Sequence, residues 1–285
     1  MSQEETIGLV VVGYDSDPLW PQFFDGIQES SRHPGHIVVV ENSKTAPRTI
    51  PSSSKGVEVL HLPENPGFGT AVNRGVQLLP PEVSWVFIAN SDSFPSPEAF
   101  ATLLAVAHDY PDAGAFGPAI IGIDGSTYPS ARAIPGVRIG VGHALLGALF
   151  PRNPWTQRYL GNYVGSGPRS AGWLSGSFML VRREAFIDVD GFDESYFMFF
   201  EDVDLCYRLK IKGWKSVYVP SARVTHLGGY STEKNIKEMV RAHHDSALIF
   251  LRRLYPAWFQ APLRAVLKLG LAVRSFVASR LYAKR

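Results

Sequence analysis

The sequence predicts an α/β protein with a mostly parallel central sheet flanked by helices. Three observations carry that prediction. Apolar runs of strand length alternate with amphipathic stretches of helix length through the first third of the chain. The runs are apolar without a polar alternation, as strands covered on both faces must be. They also close on polar or glycine residues: Gly13-Tyr14-Asp15, Glu41-Asn42-Ser43 and Asn90-Ser91-Asp92. Sheets of this kind bind ligands beyond the carboxyl ends of their strands, so these residues should line one crevice.

Taken in order, Ile7 to Gly13 is the first buried strand, and Asp17-Pro18 opens a helix to about Arg32. Ile37 to Val40 is the second strand, and Val57 to Leu62 the third. The third runs into Asn65-Pro66-Gly67-Phe68-Gly69, a tight turn ahead of a helix over Thr70–Leu79. Asn73 and Arg74 fall on that helix's first turns, where free N–H groups and an arginine suit a diphosphate. Trp85 to Ile88 is the fourth strand. Beyond it, Ala115 to Ile121 is a strand and Asp124-Gly125 a turn. Arg132 to Phe150 is apolar, and Pro151 to Gly172 is rich in Gly, Pro, Arg and aromatics, as in packing or in a loop that orders on its ligand; the second is favoured, with acceptor contact as its job. Trp173 to Val181 reads as one strand kinked at Ser175-Gly176-Ser177, where a ligand approaches closely. A helix from Arg182, a turn at Gly191-Phe192-Asp193-Glu194 and a strand over Ser216–Val219 follow.

Composition narrows the function. The chain has 285 residues, 45% of them hydrophobic and 19% charged, as in a globular protein with a sizeable core. Cys206 is the only cysteine, which excludes a disulfide framework and a cysteine-rich zinc site. The polar start, Met1 to Glu5, does not read as a signal peptide, and no stretch of about 18 uncharged apolar residues predicts a membrane span. A cytoplasmic location is the expectation. From Ser246 to Arg285 there is no Asp or Glu and the charge is +8, which leaves −6 on the other 245 residues of a chain with net charge +2. An acidic body with a basic, apolar tail argues against nucleic acid as partner and for an anionic surface met by the tail. No G-x-G-x-x-G follows the first strand and no P-loop occurs, which disfavours dehydrogenase and P-loop chemistry.

The segment Phe199-Phe200-Glu201-Asp202-Val203-Asp204 places three carboxylates on a first helical turn, where the helix dipole favours anions. A plain helix cap is the bland alternative. Its company along the chain favours the chemical one. The Gly-Tyr, Glu-Asn-Ser and Asn-Ser-Asp strand ends, the Asn-Pro-Gly-Phe-Gly…Asn-Arg-Gly loop, Gly-Phe-Asp-Glu, Glu-Asp-x-Asp and the late His-x-Gly-Gly together resemble family 2 glycosyltransferases, over residues 6 to 230. Within that family the pattern is most similar to the rhamnosyltransferase branch.

The resemblance implies an A-type glycosyltransferase fold, with a catalytic domain over residues 1–230 and a C-terminal helical extension over 231–285. Residues 1–114 form its nucleotide-sugar half and 115–230 its acceptor half. It implies donor contacts from Gly13, Tyr14, Glu41, Asn42, Asn65, Gly67, Gly69, Asn73, Arg74, Asn90 and Ser91, with Glu41 accepting from the pyrimidine N3–H. It makes Asp92 the metal-binding end of a degenerate Asp-x-Asp motif; Asn90 stands where many relatives have the first acid, and Glu41 where they usually have Asp. His226 is its natural partner, an imidazole beside a carboxylate for Mg²⁺ or Mn²⁺. Trp173, Ser175 and Gly176 are expected at the acceptor. The expected general base is Asp202, the second acid of the Glu-Asp pair, with Glu201 in support. Asp202 also shares a helix face with Leu205, Cys206 and Leu209, whereas Asp204 lies four residues before Arg208 as a structural pair. A single base without a covalent intermediate implies inversion at the anomeric carbon.

The implied reaction moves L-rhamnose from dTDP-L-rhamnose to a polyprenyl-diphosphate-linked N-acetylglucosamine in cell-wall assembly. Another nucleotide sugar and acceptor, a sugar-nucleotide pyrophosphorylase and a non-catalytic nucleotide-sugar-binding protein are the alternatives. A pyrophosphorylase would carry a basic Gly-rich loop after the first strand, which is absent. Glu233 to Arg253 reads as a helix that Pro256 ends, and Trp258 to Arg285 as basic, apolar helix. Two readings stand for that tail: packing on the body, or binding at a membrane interface with Trp258 and Tyr282 at headgroup depth. The second makes the protein peripheral at the inner face of the cell membrane. The oligomeric state is open, a homodimer included.

Overall fold

The structure is a computed structural model that describes residues 6–50, 56–136, 150, 152–160, 167–228 and 236–282. The first part of the chain runs β1 (Ile7–Gly13), α1 (Trp20–Gln28), β2 (His36–Glu41), β3 (Val57–His61), α2 (Phe68–Leu78), β4 (Trp85–Asn90), β5 (Ser93–Pro95) and α3 (Ala99–Asp109). Next come β6 (Ala113–Ile121), β7 (Thr127–Tyr128), β8 (Ala131–Arg132), α4 (Pro154–Leu160), β9 (Arg169–Ala171), β10 (Trp173–Leu174) and β11 (Phe178–Arg182). The chain ends with α5 (Arg183–Asp188), α6 (Glu201–Ile211), β12 (Lys215–His226), α7 (Ile236–Leu254) and, after a short 3₁₀ turn, α8 (Ala261–Tyr282). Parts of the expected acceptor loop, at 137–149, 151 and 161–166, lie outside the described residues, as does 229–235.

The main sheet has the order β3-β2-β1-β4-β11-β6-β12-β5. From β3 to β4 every pairing is parallel, β11 inserts antiparallel between β4 and β6, and β12 resumes parallel pairing on β6. The sheet is therefore mostly parallel in direction, as the sequence predicts. Side chains alternate across β1 into two cores, which is why its run is apolar throughout. Leu9 and Val11 pack with Trp20, Phe23 and Phe100 beneath α1 and α3. Val10 and Val12 pack with Val72, Val76, Leu205 and Phe250 beneath α2, α6 and α7.

Two expectations are corrected. Trp173–Val181 is not one strand: β10 pairs with β8 in a separate two-stranded sheet, and only β11 joins the main one. The break falls at Ser175-Gly176-Ser177: Ser175 N–H donates to Ser130 and the Ser177 carbonyl accepts from Asn90, while the Gly176 N–H between them turns to Asp202. Conversely, the strand expected to end at Val219 continues to His226. Pro220 has no N–H to donate, and the register on β6 shifts between Val219 and Arg223 before pairing resumes. The bulge carries His226 opposite Ser93 on β5.

Helix α7, assigned from sequence to the extension beyond residue 230, shares the body's core: Ser246, Ala247 and Phe250 are buried against it. Helix α8 contributes no buried residue among those described, and Leu263, Leu267 and Leu271 form its half-buried stripe. No helix is long and apolar enough to cross a membrane among the described residues.

Candidate active site

The floor of the crevice is the carboxyl end of β1, β2 and β4. Glu41 closes β2, and its Oε1 accepts a hydrogen bond from the Asp15 N–H at 2.9 Å. Its Oε2 is buried without a hydrogen-bond partner. A Cβ on Gly13 would lie 2.9 Å from that oxygen, so glycine there leaves the carboxylate room. Asn42 donates to the Gly67 carbonyl at 3.2 Å, and its Oδ1 is likewise buried and unpartnered. Buried polar atoms ordinarily find partners. Two orphaned acceptors on successive residues therefore fit a ligand that brings N–H or O–H donors. Burial pushes the Glu41 carboxyl up, and the charges of Asp15 and Asp17 add to the shift. Ser91 meets Ser16 through their hydroxyls at 2.7 Å, and Tyr14 stands exposed at the rim.

Where β5 meets β12, the Asp92 Oδ1 and His226 Nε2 lie 3.0 Å apart, both largely buried. The backbone locks this arrangement, since Leu227 N–H donates to the Asp92 carbonyl at 3.0 Å. The pair spans 134 residues of sequence. A carboxylate oxygen and an imidazole nitrogen suit a divalent cation that completes its shell with diphosphate oxygens and water. Among the described residues no group of three or more His, Cys, Asp or Glu is arranged to hold a metal ion.

The acidic helix faces the same opening. Asp202 accepts from the Gly176 N–H through Oδ2 at 3.0 Å and from the Val203 N–H through Oδ1 at 2.8 Å. The 175–177 turn joins the two chemistries: Gly176 holds Asp202, and the Ser177 carbonyl accepts from Asn90 N–H and Ser93 Oγ at 2.9 Å each. Ser175 Oγ is 3.1 Å from Ser177 Oγ, and Trp173 is buried with its Nε1 unpartnered. The three expected acceptor residues thus lie on the segment that donates a hydrogen bond to Asp202.

Burial raises the Asp202 carboxyl, while the two N–H donors and the Arg132 charge oppose the shift. Burial also raises Glu201, to about 8, with the charge of Asp202 adding to the shift, and its Oε2 has no partner. The two N–H donors on the Asp202 oxygens favour its ionised form. Asp204 is fully buried and bound by Arg208 at 2.6 Å, with Arg253 Nε at 2.5 Å and Tyr196 Oη at 3.3 Å. It is structural, as expected, but within a buried network rather than a surface pair.

The expected diphosphate seat on α2 is different from the sequence reading. Asn73 is turned away: its amide donates to the Phe192 carbonyl and Glu194 and accepts from the Phe192 N–H, at 2.9 to 3.0 Å. It pins the Gly-Phe-Asp-Glu turn to α2. Arg74 is bound to Glu64 at 2.7 Å on the surface. The first N–H of α2, on Phe68, is taken by the Phe197 carbonyl at 3.1 Å. Gly67, at φ 99°, runs so close to the Phe197 backbone that no side chain fits there. Gly69 abuts Phe192, and Asn65 turns the chain at φ 48°. In this structure the loop fastens α2 to the segment leading into α6.

The sequence matches the family model described as "Glycosyltransferase like family 2" over residues 5–244. The chain belongs to glycosyltransferase family 2. It is 40% identical over 292 residues, 99% of this chain and 95% of the relative, to an N-acetylglucosaminyl-diphospho-decaprenol L-rhamnosyltransferase of Mycobacterium tuberculosis. In structure it is similar to a mannosyltransferase of Pyrobaculum calidifontis solved with GDP-Man and Mn²⁺, with TM-score 0.58, 14% identity, and 98% and 76% of the two chains covered. It is also similar to GalNAc-T7 solved with UDP, GalNAc and Mn²⁺, with TM-score 0.56, 15% identity, and 85% and 48% covered. The A-type fold implied by the motifs is the fold observed.

Two features of this glycosyltransferase's site carry no sequence motif. Arg132, on β8 opposite Trp173, lies over the rings of Tyr128, Tyr159 and Trp173 at 5.1 to 5.6 Å, and its Nε donates to the Pro129 carbonyl. It is the cation whose charge reaches Asp202. Phe199 and Phe200 both adopt left-handed backbone, φ 67° and 65°, directly before Glu201. Each such residue costs on the order of 1–3 kcal/mol, and pairs of them persist only under constraint from their surroundings.

The elevated Glu201 carboxyl makes a stability prediction. Its folded value of about 8 exceeds the ordinary 4.5, so the folded state holds a proton that the unfolded chain has released. Its contribution is complete below about pH 4.5 and is lost as pH rises toward 8. Glu201→Gln should therefore be the more stable protein at pH 8, by about 2–4 kcal/mol relative to the comparison at pH 5. Urea midpoints at the two pH values, in EDTA, measure this. Parallel pH dependence in both proteins would contradict it.

Proposed function

We propose that this glycosyltransferase moves L-rhamnose from dTDP-L-rhamnose to N-acetylglucosaminyl diphospho-polyprenol, with inversion, in cell-wall polysaccharide assembly. The observation that carries the reading is the placement of Asp202, anchored by the 175–177 turn that also anchors the Asn90–Ser93 segment. The near-full-length similarity to an L-rhamnosyltransferase supports the choice of sugar and acceptor.

In this reading Asp202 accepts the proton of the attacking sugar hydroxyl. Its two backbone donors keep the carboxylate aimed, and Arg132 favours its ionised form. Glu201, holding its own proton, spares Asp202 a second negative charge alongside. Glu41 accepts from the pyrimidine N3–H, the one donor of that base, and Asn42 Oδ1 offers a second acceptor beside it for a donor elsewhere on the nucleotide sugar. Trp173, Ser175 and Gly176 border the acceptor. Asp92 and His226 hold Mg²⁺ or Mn²⁺, which when bound stabilises charge on the departing diphosphate.

Calorimetry with dTDP-L-rhamnose, UDP-glucose, UDP-N-acetylglucosamine and GDP-mannose, each with and without Mn²⁺, tests the donor assignment. Tightest binding of dTDP-L-rhamnose, weakened by removing Mn²⁺, is expected. Preference for a uridine or guanosine sugar would reject it.

A lipid-linked acceptor places the site at a membrane surface, and the C-terminal region suits that place. Trp258 is 85% exposed, and Phe259, Val266 and Leu269 are exposed on a stretch without an acidic residue. Exposed aromatic and basic side chains together favour anionic lipid interfaces. The intact chain should float with phosphatidylglycerol liposomes, and a chain ending at Leu254 should float at least about tenfold less. Equal flotation would reject a membrane-facing tail.

A further inference from the structure

Helix α7 lies downstream of every expected catalytic residue, yet one face of it meets the segment that aims the base. Its His243 ring stands 5.5 Å from Phe199 and 5.3 Å from Phe200, and Phe250 stands 5.7 Å from both Phe200 and Tyr207. Ser246, itself buried, donates its hydroxyl to the Met198 carbonyl at 2.8 Å. Arg253 forms ion pairs with Asp204 on α6 and with Asp193 of the Gly-Phe-Asp-Glu turn. Residues 243, 246, 250 and 253 recur at helical spacing, so a single stripe of α7 makes every one of these contacts.

We propose that α7 is a brace for the catalytic helix, with Arg253 and Ser246 as positioning residues that fix the direction of Asp202. Two consecutive left-handed phenylalanines turn the chain sharply into α6, and nothing local to their sequence favours that conformation. Three restraints from α7 hold it: the Ser246 hydroxyl on the carbonyl just before the turn, the rings of His243 and Phe250 on the two phenylalanines, and Arg253 on the first turn of α6 just beyond. Asp204 is two residues from Asp202, so a shift of α6 that loosens one moves the other. Charge balance makes Arg253 important, because it pairs with both Asp193 and Asp204, whereas Arg208 pairs with Asp204. Loss of one partner leaves a buried carboxylate undercompensated, and α6 would relax to relieve it.

The proposal rests on Asp202 being the base. It is tested in the full-length protein with dTDP-L-rhamnose, N-acetylglucosaminyl diphospho-decaprenol and Mn²⁺. Arg253→Met is expected to lower kcat about 10- to 100-fold, the scale of a small misplacement of a reacting group. Both KM values and the donor affinity from calorimetry should stay within about twofold, since neither residue touches the crevice floor. Arg253→Lys, which keeps the charge, should recover part of the loss, and Ser246→Ala should lower kcat about 3- to 10-fold. Phe23→Leu, in the core on the opposite face of the sheet, supplies a control of lowered Tm, and its kcat should match wild type. Wild-type kcat in Ser246→Ala and in folded Arg253→Met would overturn the brace, as would an equal kcat loss in the Phe23 control. If Arg253→Met fails to fold, Ser246→Ala and Arg253→Lys decide the question. Measured alongside, an active Asp202→Asn defeats the base assignment, whereas an inactive one with unaffected α7 variants defeats only the brace.

Discussion

Asp202→Asn is expected to lower transfer about 10³-fold, within the 10²- to 10⁴-fold range of a general base, and to leave donor affinity nearly unchanged. The substitution is close to isosteric. The Gly176 and Val203 N–H groups that now meet its two oxygens keep one acceptor and confront one amide, so a small loss of stability accompanies the kinetic defect. Donor binding should survive because its expected contacts lie on β1, β2 and β4, across the 175–177 turn from Asp202. Asp204→Asn makes the informative contrast. That carboxylate is fully buried between Arg208 and Arg253, and its loss should appear mainly as a lower Tm. Single-turnover rates and donor calorimetry measure both variants, and retained turnover in Asp202→Asn would remove it from the mechanism.

Asp92→Ala and His226→Ala should each lower kcat about 10²- to 10³-fold, the cost typical of losing one electrostatic stabiliser of a developing anion. The two side chains meet at 3.0 Å and should act as a unit. The double variant should then be little worse than either single one. The binding readout is independent of turnover: Mn²⁺ affinity in the presence of dTDP, followed by electron paramagnetic resonance, should fall at least about tenfold in both variants. EDTA should abolish wild-type activity, and Mn²⁺ should restore it. Wild-type Mn²⁺ affinity in His226→Ala would mean that the imidazole only buttresses Asp92.

The parallel half of the sheet was legible in the sequence because its strands are buried on both faces and end on polar residues. A one-dimensional apolar run carries that information. The meeting of Asp92 with His226 was legible only through resemblance, since the bulge at Pro220 that aligns them has no pattern of its own. Asn73 misled because its place near a glycine loop says nothing of which way a helical side chain points. It points at Phe192 and serves the fold. Trp173–Val181 misled for a related reason: a continuous apolar run does not disclose that its two ends join different sheets. Arg132, Arg253 and the left-handed Phe199 and Phe200 gave no signal at all. Their roles come largely from partners distant in sequence, up to the 60 residues between Arg253 and Asp193, or from backbone torsions, neither of which leaves a periodic trace.

In the proposed reaction one ionised carboxylate, Asp202, drives a direct displacement of rhamnose from its nucleotide. The most direct measurement is the anomeric configuration of the product formed from dTDP-L-rhamnose and N-acetylglucosaminyl diphospho-decaprenol, read by NMR coupling constants. A rhamnosyl product inverted relative to the donor, and absent with Asp202→Asn, is predicted. A product that retains the donor's configuration would contradict the account, because retention requires a second displacement that a lone base does not provide.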